Sequence, residues 1–289
     1  AERTGIGRFN GVVQHITHAS QRDKLLKAGA SGHWPDAQMR VIDDNAVLLA
    51  DGGYLKPAKW CALLLDHPAI QVETTSLQRI DVAGRPVLES GDADDLDAVV
   101  LCIAGSAATL PGLPDLPLRA IRGQVTECRA TSASRVWQHA HCHEGYLTPA
   151  IDGLHCVGAT FHLGDTEPAP RATDDAANLE QLARCLPGFW RELGGRDIEI
   201  VGQRVAFRCQ ASDYLPLAGH SPGARNESAT PLMVNLAHGS RGIGGTPLIA
   251  DMIADNLTQL PSAVDSAMQR ALDPARFELR KRKKRSKIR

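Results

Sequence analysis

Helical and strand-like periodicities of apolar positions alternate along the whole chain, which predicts a mixed α/β (α+β) protein. The helical spacing predicts helices at Gln21–Ala28, Lys56–Asp66 (with Trp60, Leu63 and Leu64 on one face), Thr173–Cys185 and Phe189–Leu193. Strand-like runs occur at Ile70–Thr75, Asp97–Ala104, Ile121–Cys128, Tyr146–Ala150, His155–His162 and Ile198–Arg208. Because Asp97–Ala104 is continuously apolar, we expect a buried parallel strand there. We expect Thr173 to cap its helix, with Asp174 and Asp175 in the first turn.

A glycine-rich turn near the C-terminus is the most informative local pattern. The segment His238–Gly245 follows the apolar run Leu232–Ala237 and precedes the helix-like stretch Thr246–Leu257. A strand, a glycine turn and a helix N-terminus together direct backbone N–H groups and the positive end of a helix dipole at one place. The pattern therefore predicts a cradle for negative charge.

Composition and charge narrow the class of protein. A chain of 289 residues with 43% hydrophobic content can bury the core of one large or two ordinary domains. Seven scattered cysteines without a Cys-x-x-Cys pair favour reduced thiols in the cytosol. Neither a membrane-spanning run nor a signal peptide is apparent, so we expect a cytoplasmic protein with no membrane partner.

The charge distribution is uneven. Residues 276–289 contain nine Lys or Arg and one acid, so this basic tail carries +8 and leaves −9 on the remainder of a chain whose net charge is −1. A polybasic end on an acidic body suggests a polyanionic partner such as RNA. A solubilising tail without a partner is an equally good interpretation of the same charges.

An ordered set of motifs then supports a family resemblance over essentially the full length. The motifs are Gly52–Pro57, Arg122–Val125, Gly145–Pro149, Val157–Phe161, Gly202–Arg208, Asp213–Gly219, His238–Gly242 and Pro274–Phe277. Together they resemble the C-terminal oxidoreductase part of the bifunctional tRNA 5-methylaminomethyl-2-thiouridine biosynthesis proteins, within the D-amino-acid-oxidase-like flavoprotein superfamily. The resemblance implies that fold, with a substrate-side antiparallel or mixed sheet, and FAD as cofactor.

One part of the family pattern is missing from this sequence. Such proteins carry an N-terminal methyltransferase domain, and their oxidoreductase part opens with a dinucleotide-binding βαβ unit. The nearest glycine pattern here, Gly5–Gly11, has the wrong spacing and follows no strand. We therefore expect a flavoprotein fold truncated at its N-terminus, with a methyltransferase domain or a separate chain supplying the missing unit.

The resemblance also implies a domain organisation. Residues 1–110 and 220–275 would form the remainder of the FAD-binding domain, with 1–60 partly on the substrate side. Residues 111–219 would form the substrate-binding domain, and 276–289 the basic tail.

The implied reaction removes the carboxymethyl group from 5-carboxymethylaminomethyl-(2-thio)uridine at the tRNA wobble position. Arg208 matches the place where related amine oxidases bind a substrate carboxylate, and Arg204 would project to the same face of its strand. Tyr54 and Tyr146 are candidates for lining the substrate cavity. The flavin-contacting turn would comprise Gly239, Ser240, Arg241, Gly242 and Ile243. No residue is assigned as a catalytic acid or base, because a neutral amine needs none.

Three alternatives stay open from the residues. The histidines of His139–His143 share a face if the segment is a strand, but no further ligands complete a metal site, so we interpret them as a coincidental cluster. The enzyme could instead oxidise small amines of the glycine or sarcosine kind. The missing nucleotide motif also fits a non-catalytic RNA-binding remnant.

Overall fold

The structure is a computed structural model that describes residues 5–35, 37–93, 95–222 and 230–280. Its strands in chain order are β1 (Gly7–Arg8), β2 (Val12–His15), β3 (Met39–Asp43), β4 (Ala46–Leu49), β5 (Tyr54–Leu55), β6 (Leu77–Ile80), β7 (Pro86–Leu88), β8 (Gly91–Asp92), β9 (Val99–Leu101), β10 (Leu118–Arg129), β11 (Ala140–Cys142), β12 (Tyr146–Leu147), β13 (Leu154–Gly158), β14 (His162–Leu163), β15 (Ile200–Ala211), β16 (Leu217–His220) and β17 (Leu232–Leu236). The helices are α1 (Ala19–Ala30), α2 (Pro57–Leu65), α3 (Ala172–Cys185), α4 (Pro187–Glu192), α5 (Gly242–Thr258) and α6 (Ser266–Leu272). The greater part of the basic tail, 281–289, lies outside the described residues.

The chain divides into two compact units. Within the described residues, the first comprises the chain up to Gln71 together with Gly123–His162 and Glu167–Ala206. The second comprises Val72–Arg122, Leu163–Thr166 and the chain from Phe207. The predicted assignment of particular segments to the cofactor and substrate sides stays a prediction.

A nine-stranded mixed sheet accounts for most strands of the first unit. Its order is β14-β10-β13-β12-β11-β2-β4-β3, with β15 also paired to β10. Strands β11 and β2 run parallel, whereas β10, β13, β12 and β11 form a succession of antiparallel pairs. The predicted mixed α/β fold with an antiparallel or mixed sheet is therefore confirmed.

Helix α3 packs on this sheet through both an apolar and a polar contact set. Leu182 is fully buried in a cluster with Leu147 and Val157. On the same helix, the buried carboxylate of Asp175 accepts hydrogen bonds from Gln124 (2.9 Å), Thr126 (2.7 Å) and Gln203 (3.0 Å). Because buried carboxylates are costly unless satisfied, this network fixes the helix on the sheet.

The second unit is centred on a small sheet in the order β16-β17-β9. Strand β17 is buried throughout, and because successive side chains of a strand point to opposite faces, they pack in two different cores. Leu232, Val234 and Leu236 join one apolar cluster, whereas Met233 joins another that includes residues of α5. A separate antiparallel meander is formed by β6, β7 and β8.

Several local expectations need correction. The run Ile70–Thr75 is not a strand: Ile70 and Val72 are exposed, so their alternation marks no buried face. The predicted buried strand Asp97–Ala104 is indeed parallel to β17, but only Val99–Leu101 is extended and Val100 is 38% exposed.

Two further corrections concern element ends. Helix α3 begins at Ala172 after Arg171, so Thr173 lies inside the first turn and is not the cap. The predicted strand His155–His162 is interrupted and forms β13 and β14.

Candidate flavin and substrate site

The predicted glycine turn leaves the end of β17, in the second unit, through two left-handed residues. Ala237 has φ +63° although it carries a side chain, and Gly239 has φ +57°. A Cβ on Gly239 would lie 3.1 Å from Nε2 of Gln210, so a side chain there would be both strained and crowded. The Gly239 N–H donates to the carbonyl of Cys209 at 2.8 Å, which holds the turn against β15.

The turn leads directly into the N-terminus of α5, a helix of 17 residues. Its N-cap residue, Arg241, provides no side-chain acceptor. The N–H groups of Gly242, Ile243 and Gly244 have no acceptor within the helix, because they belong to its first turn. Ser240, Arg241 and Ile243 are exposed. The structure thus places the five predicted cofactor residues at a helix N-terminus suited to negative charge.

His238 adds a group to this turn that the sequence reasoning missed. Its Nε2 lies 2.7 Å from Oδ1 of Asn235, and since an amide oxygen only accepts, Nε2 carries the proton. Nδ1 is then an acceptor, and it is buried without a partner among the described residues. Burial also lowers the pKa of His238 below its usual value, which favours the neutral ring.

The strand β15 brings the predicted carboxylate ligand close to the turn. Gln210 of β15 forms a β-bridge with His238 and lies against Gly239. Arg208 is two residues earlier and shares the face of Gln210, at a strand distance of about 7 Å. Arg208 is half-buried. A guanidinium in that position would suit a carboxylate held beside the cradle.

Arg204 and Tyr146 both influence one thiol, that of Cys156, on the sheet of the first unit. The Tyr146 hydroxyl hydrogen-bonds the Cys156 thiol, and the charge of Arg204 also acts on that thiol. Burial raises the pKa of Cys156 above its usual value. Arg204 belongs to the first unit and Arg208 to the second, and a substrate-binding role for Arg204 stays a prediction.

A glycine makes room for the Tyr146 ring. A Cβ on Gly158, which is paired with Tyr146, would lie 3.0 Å from the ring and its hydroxyl. Any side chain at this position would therefore displace the ring.

Tyr54 lines a cavity of about 240 Å³ within the first unit. The other lining residues are Gly5, Gly7, Arg8, Lys56, Ala150, Ile151 and Asp152. Among the described residues, neither Tyr146 nor Arg204 contributes to this lining. The two predicted tyrosines therefore do not share one cavity.

The histidine cluster is extended by a residue from β2. Nε2 of His15 lies 3.0 Å from Nδ1 of His141, whose ring is 4.2 Å from that of Phe189. In the part of the chain that is described, no three His, Cys, Asp or Glu side chains are arranged to hold a metal ion.

A strand, a glycine turn and an uncapped helix N-terminus form a site of the class that binds anionic groups, and Arg208 lies nearby on β15. The family model for FAD-dependent oxidoreductases matches residues 2–256. The chain belongs to this family, whose cofactor is FAD, and the resemblance seen in the sequence motifs is confirmed.

Curated relatives carry the name tRNA 5-methylaminomethyl-2-thiouridine biosynthesis bifunctional protein. The protein from Chromobacterium violaceum is 32% identical, over 93% of this chain and 47% of its own length. That from Pseudomonas fluorescens is 31% identical, over 94% of this chain and 47% of its own length. The chain therefore spans about half the length of the curated relatives it matches.

Solved structures share the fold at lower identity. Glycine oxidase from Geobacillus kaustophilus superposes with a TM-score of 0.73 and 21% identity, covering 94% of this chain and 77% of that one. L-proline dehydrogenase from P. horikoshii gives a TM-score of 0.74 at 13% identity, with coverages of 96% and 79%. At these identities the likeness establishes the fold alone.

Proposed function

We propose that the chain is the oxidoreductase part of a tRNA-modifying enzyme that removes the carboxymethyl group from 5-carboxymethylaminomethyl-(2-thio)uridine at the wobble position. The observation that carries the proposal is the 31–32% identity to the tRNA-modifying relatives over more than nine tenths of the chain. The position of Arg208 beside the glycine turn supports it, because the substrate has a carboxylate and a secondary amine.

The chain's own residues would position the substrate. The Arg208 guanidinium would bind the carboxylate through two parallel hydrogen bonds and place the adjoining carbon at the cradle. The N–H groups of Gly242 and Ile243, in the first turn of α5, would hold the cofactor's polar edge, and Nδ1 of His238 would accept a hydrogen bond from it. The flavin ring, with an N–H between two carbonyls, matches this set of donors and an acceptor.

The proposed reaction needs no dedicated acid or base from the chain. When bound, FAD supplies the acceptor for a hydride from the carbon between the amine and the carboxylate. The C–N bond becomes an imine and the amine proton is released. Water then hydrolyses the imine to glyoxylate and the aminomethyl nucleoside.

The proposal includes partners and a setting. The macromolecular partner is tRNA, and a methyltransferase domain or a separate chain would supply the dinucleotide-binding unit. All seven cysteines are free thiols, which fits a reducing cytoplasm. No helix in the described residues is long and apolar enough to cross a membrane.

The test is glyoxylate release from tRNA carrying the carboxymethylaminomethyl group, with FAD added and flavin absorbance recorded. Arg208→Gln should lower kcat/KM by roughly 10- to 100-fold, the value of a charged hydrogen-bonded contact. Arg208→Lys should recover only part of this loss, because an ammonium cannot pair bidentately. The matched control is Arg196→Gln, which removes an exposed arginine.

Two outcomes would refute the proposal. Turnover of free glycine or sarcosine, without turnover of the modified tRNA, would indicate a small-amine oxidase. A chain that binds tRNA but neither acquires flavin absorbance nor releases glyoxylate would indicate a non-catalytic RNA-binding remnant.

A further inference from the structure

A pair of closely approaching strands fixes an arginine beside a tyrosine in the first unit. Strands β1 and β5 are antiparallel, with Arg8 directly opposite Tyr54. A Cβ on Gly53 would lie 2.0 Å from the carbonyl oxygen of Arg8, and one on Gly7 would lie 2.2 Å from that of Tyr54. Only glycine allows this approach. Directly opposed residues of a strand pair share a face, so the Arg8 and Tyr54 side chains lie together.

A second cation joins this face. Lys56 follows Tyr54 by two residues, and Lys56 and Tyr54 line the same cavity of about 240 Å³. Nζ of Lys56 lies 2.8 Å from Oδ2 of Asp152, and Lys59 also acts on that carboxylate. Asp152 is itself 84% exposed, so it orients the lysine at the rim without enclosing it.

The cavity has an excess of positive charge. By count, its lining contains two cations, Arg8 and Lys56, and one acid, Asp152. Within the described part of the chain, the Arg8 guanidinium makes no hydrogen bond or ion pair, so its donors are available. Pockets for drug-sized ligands measure about 300–1,000 Å³, so this cavity of about 240 Å³ suits one unit of a polymer more than a large free cofactor.

We infer that Arg8, Lys56 and Tyr54 form a subsite for one phosphate of an RNA strand and the base beside it. The two cations would contact the phosphate and the tyrosine ring would stack on the base, the combination by which proteins bind single-stranded nucleic acid. The subsite rests on the proposed function, since it gives that function a contact for tRNA outside the reacting nucleoside.

The test is tRNA binding by fluorescence anisotropy over a range of salt concentrations. Removing one phosphate contact should reduce the slope of log K against log salt by about one, so Arg8→Gln should bind more weakly and respond less to salt. Tyr54→Ala should weaken binding by about 5- to 100-fold, whereas Tyr54→Phe, which keeps the stacking ring, should bind like the wild type. The control Lys24→Gln removes an exposed cation from α1 and should change neither value.

The outcomes separate this inference from the proposed function. If the wild type releases glyoxylate from modified tRNA and Arg8→Gln has the salt slope of Lys24→Gln, the subsite is wrong and the function stands. Equal loss in Tyr54→Phe and Tyr54→Ala would also refute the stacking role. If the wild type neither binds nor modifies tRNA, both fail. Thermal melting of each variant identifies losses caused by unfolding.

Discussion

Acidification should destabilise the first unit through His141. Its side chain is 8% exposed, and Nδ1 lies 3.0 Å from Nε2 of His15. Burial, followed by repulsion from His15, His139 and His143, lowers the pKa of His141 to about 3. The surrounding charged groups include Asp43 near His15, and Glu144 and Arg184 near His143. The folded chain therefore keeps this ring neutral where the unfolded chain protonates it.

The expected magnitude follows from the difference between the two states. An unfolded histidine has a pKa near 6.5, so at about pH 5 it has gained a proton that folded His141 has not. The unfolded state binds more protons, so stability falls as the pH falls, from near 6.5 down towards the folded value. Between about pH 7.5 and 5 the loss is about 2 kcal/mol for His141, a large part of a typical 5–15 kcal/mol.

His143 should contribute in the same direction. Burial, with the charge of His15, lowers its pKa to about 4, and its buried Nε2 has no partner among the described residues. The contribution should be smaller than that of His141, because the His143 side chain is partly exposed and solvent screens it.

Tryptophan fluorescence provides the assay, because all four tryptophans (Trp34, Trp60, Trp137 and Trp190) belong to the first unit. In urea unfolding followed by this signal, the free energy of unfolding of the wild type should fall as the pH is lowered. In His141→Gln the same free energy should fall less steeply. His33→Gln, which removes an exposed histidine, should keep the wild-type dependence. Equal pH dependence in wild type and His141→Gln would refute the reasoning, whatever the absolute stability of the variant.

Two further substitutions test the packing that positions the candidate sites. Gly53→Ala places a methyl group 2.0 Å from the Arg8 carbonyl oxygen, so it should lower the melting temperature and abolish the contribution of Arg8 to tRNA binding. An unchanged melting temperature would contradict the close approach of β1 and β5. Substitution of Arg276 by alanine should cost about 3 kcal/mol, because this guanidinium is 5% exposed and its hydrogen bonds to the Asp213 carboxylate and the Leu215 carbonyl are lost. Arg280→Ala, at an exposed position beside the same carboxylate, should cost at most about 1 kcal/mol in urea unfolding, so equal losses would show that burial is not the cause.

The parts of the fold that depend on neighbouring residues could be predicted from the sequence. The glycine turn and α5 are contiguous, so the pattern His238–Gly245 predicts a helix N-terminus there, although α5 begins at Gly242 and not at the predicted Thr246. Ile70–Thr75 shows the opposite case, since among the described residues no strand pairs with this segment. Propensity describes a segment, whereas a strand requires a partner elsewhere in the chain.

The groupings around the candidate sites depend on strand pairing and were not predictable. Tyr146 reaches Cys156 because β12 pairs with β13, and no spacing in the sequence encodes that register. The role of His238 depends on Asn235, three residues earlier. Residues at that spacing point to opposite faces of a regular strand, and the left-handed Ala237 brings the two side chains together.

The same turn concentrates two unfavourable features that packing elsewhere must offset. A left-handed non-glycine residue costs about 1–3 kcal/mol, and a buried acceptor without a partner costs a similar amount. Ala237 and His238 Nδ1 are adjacent, at the end of a strand that is buried along its whole length and packed on two apolar clusters. Proteins retain such local costs mainly where function requires them. A ligand that donates to His238 would remove the second cost, so if the turn binds the flavin as we propose, we expect it to be more stable with that ligand than without it.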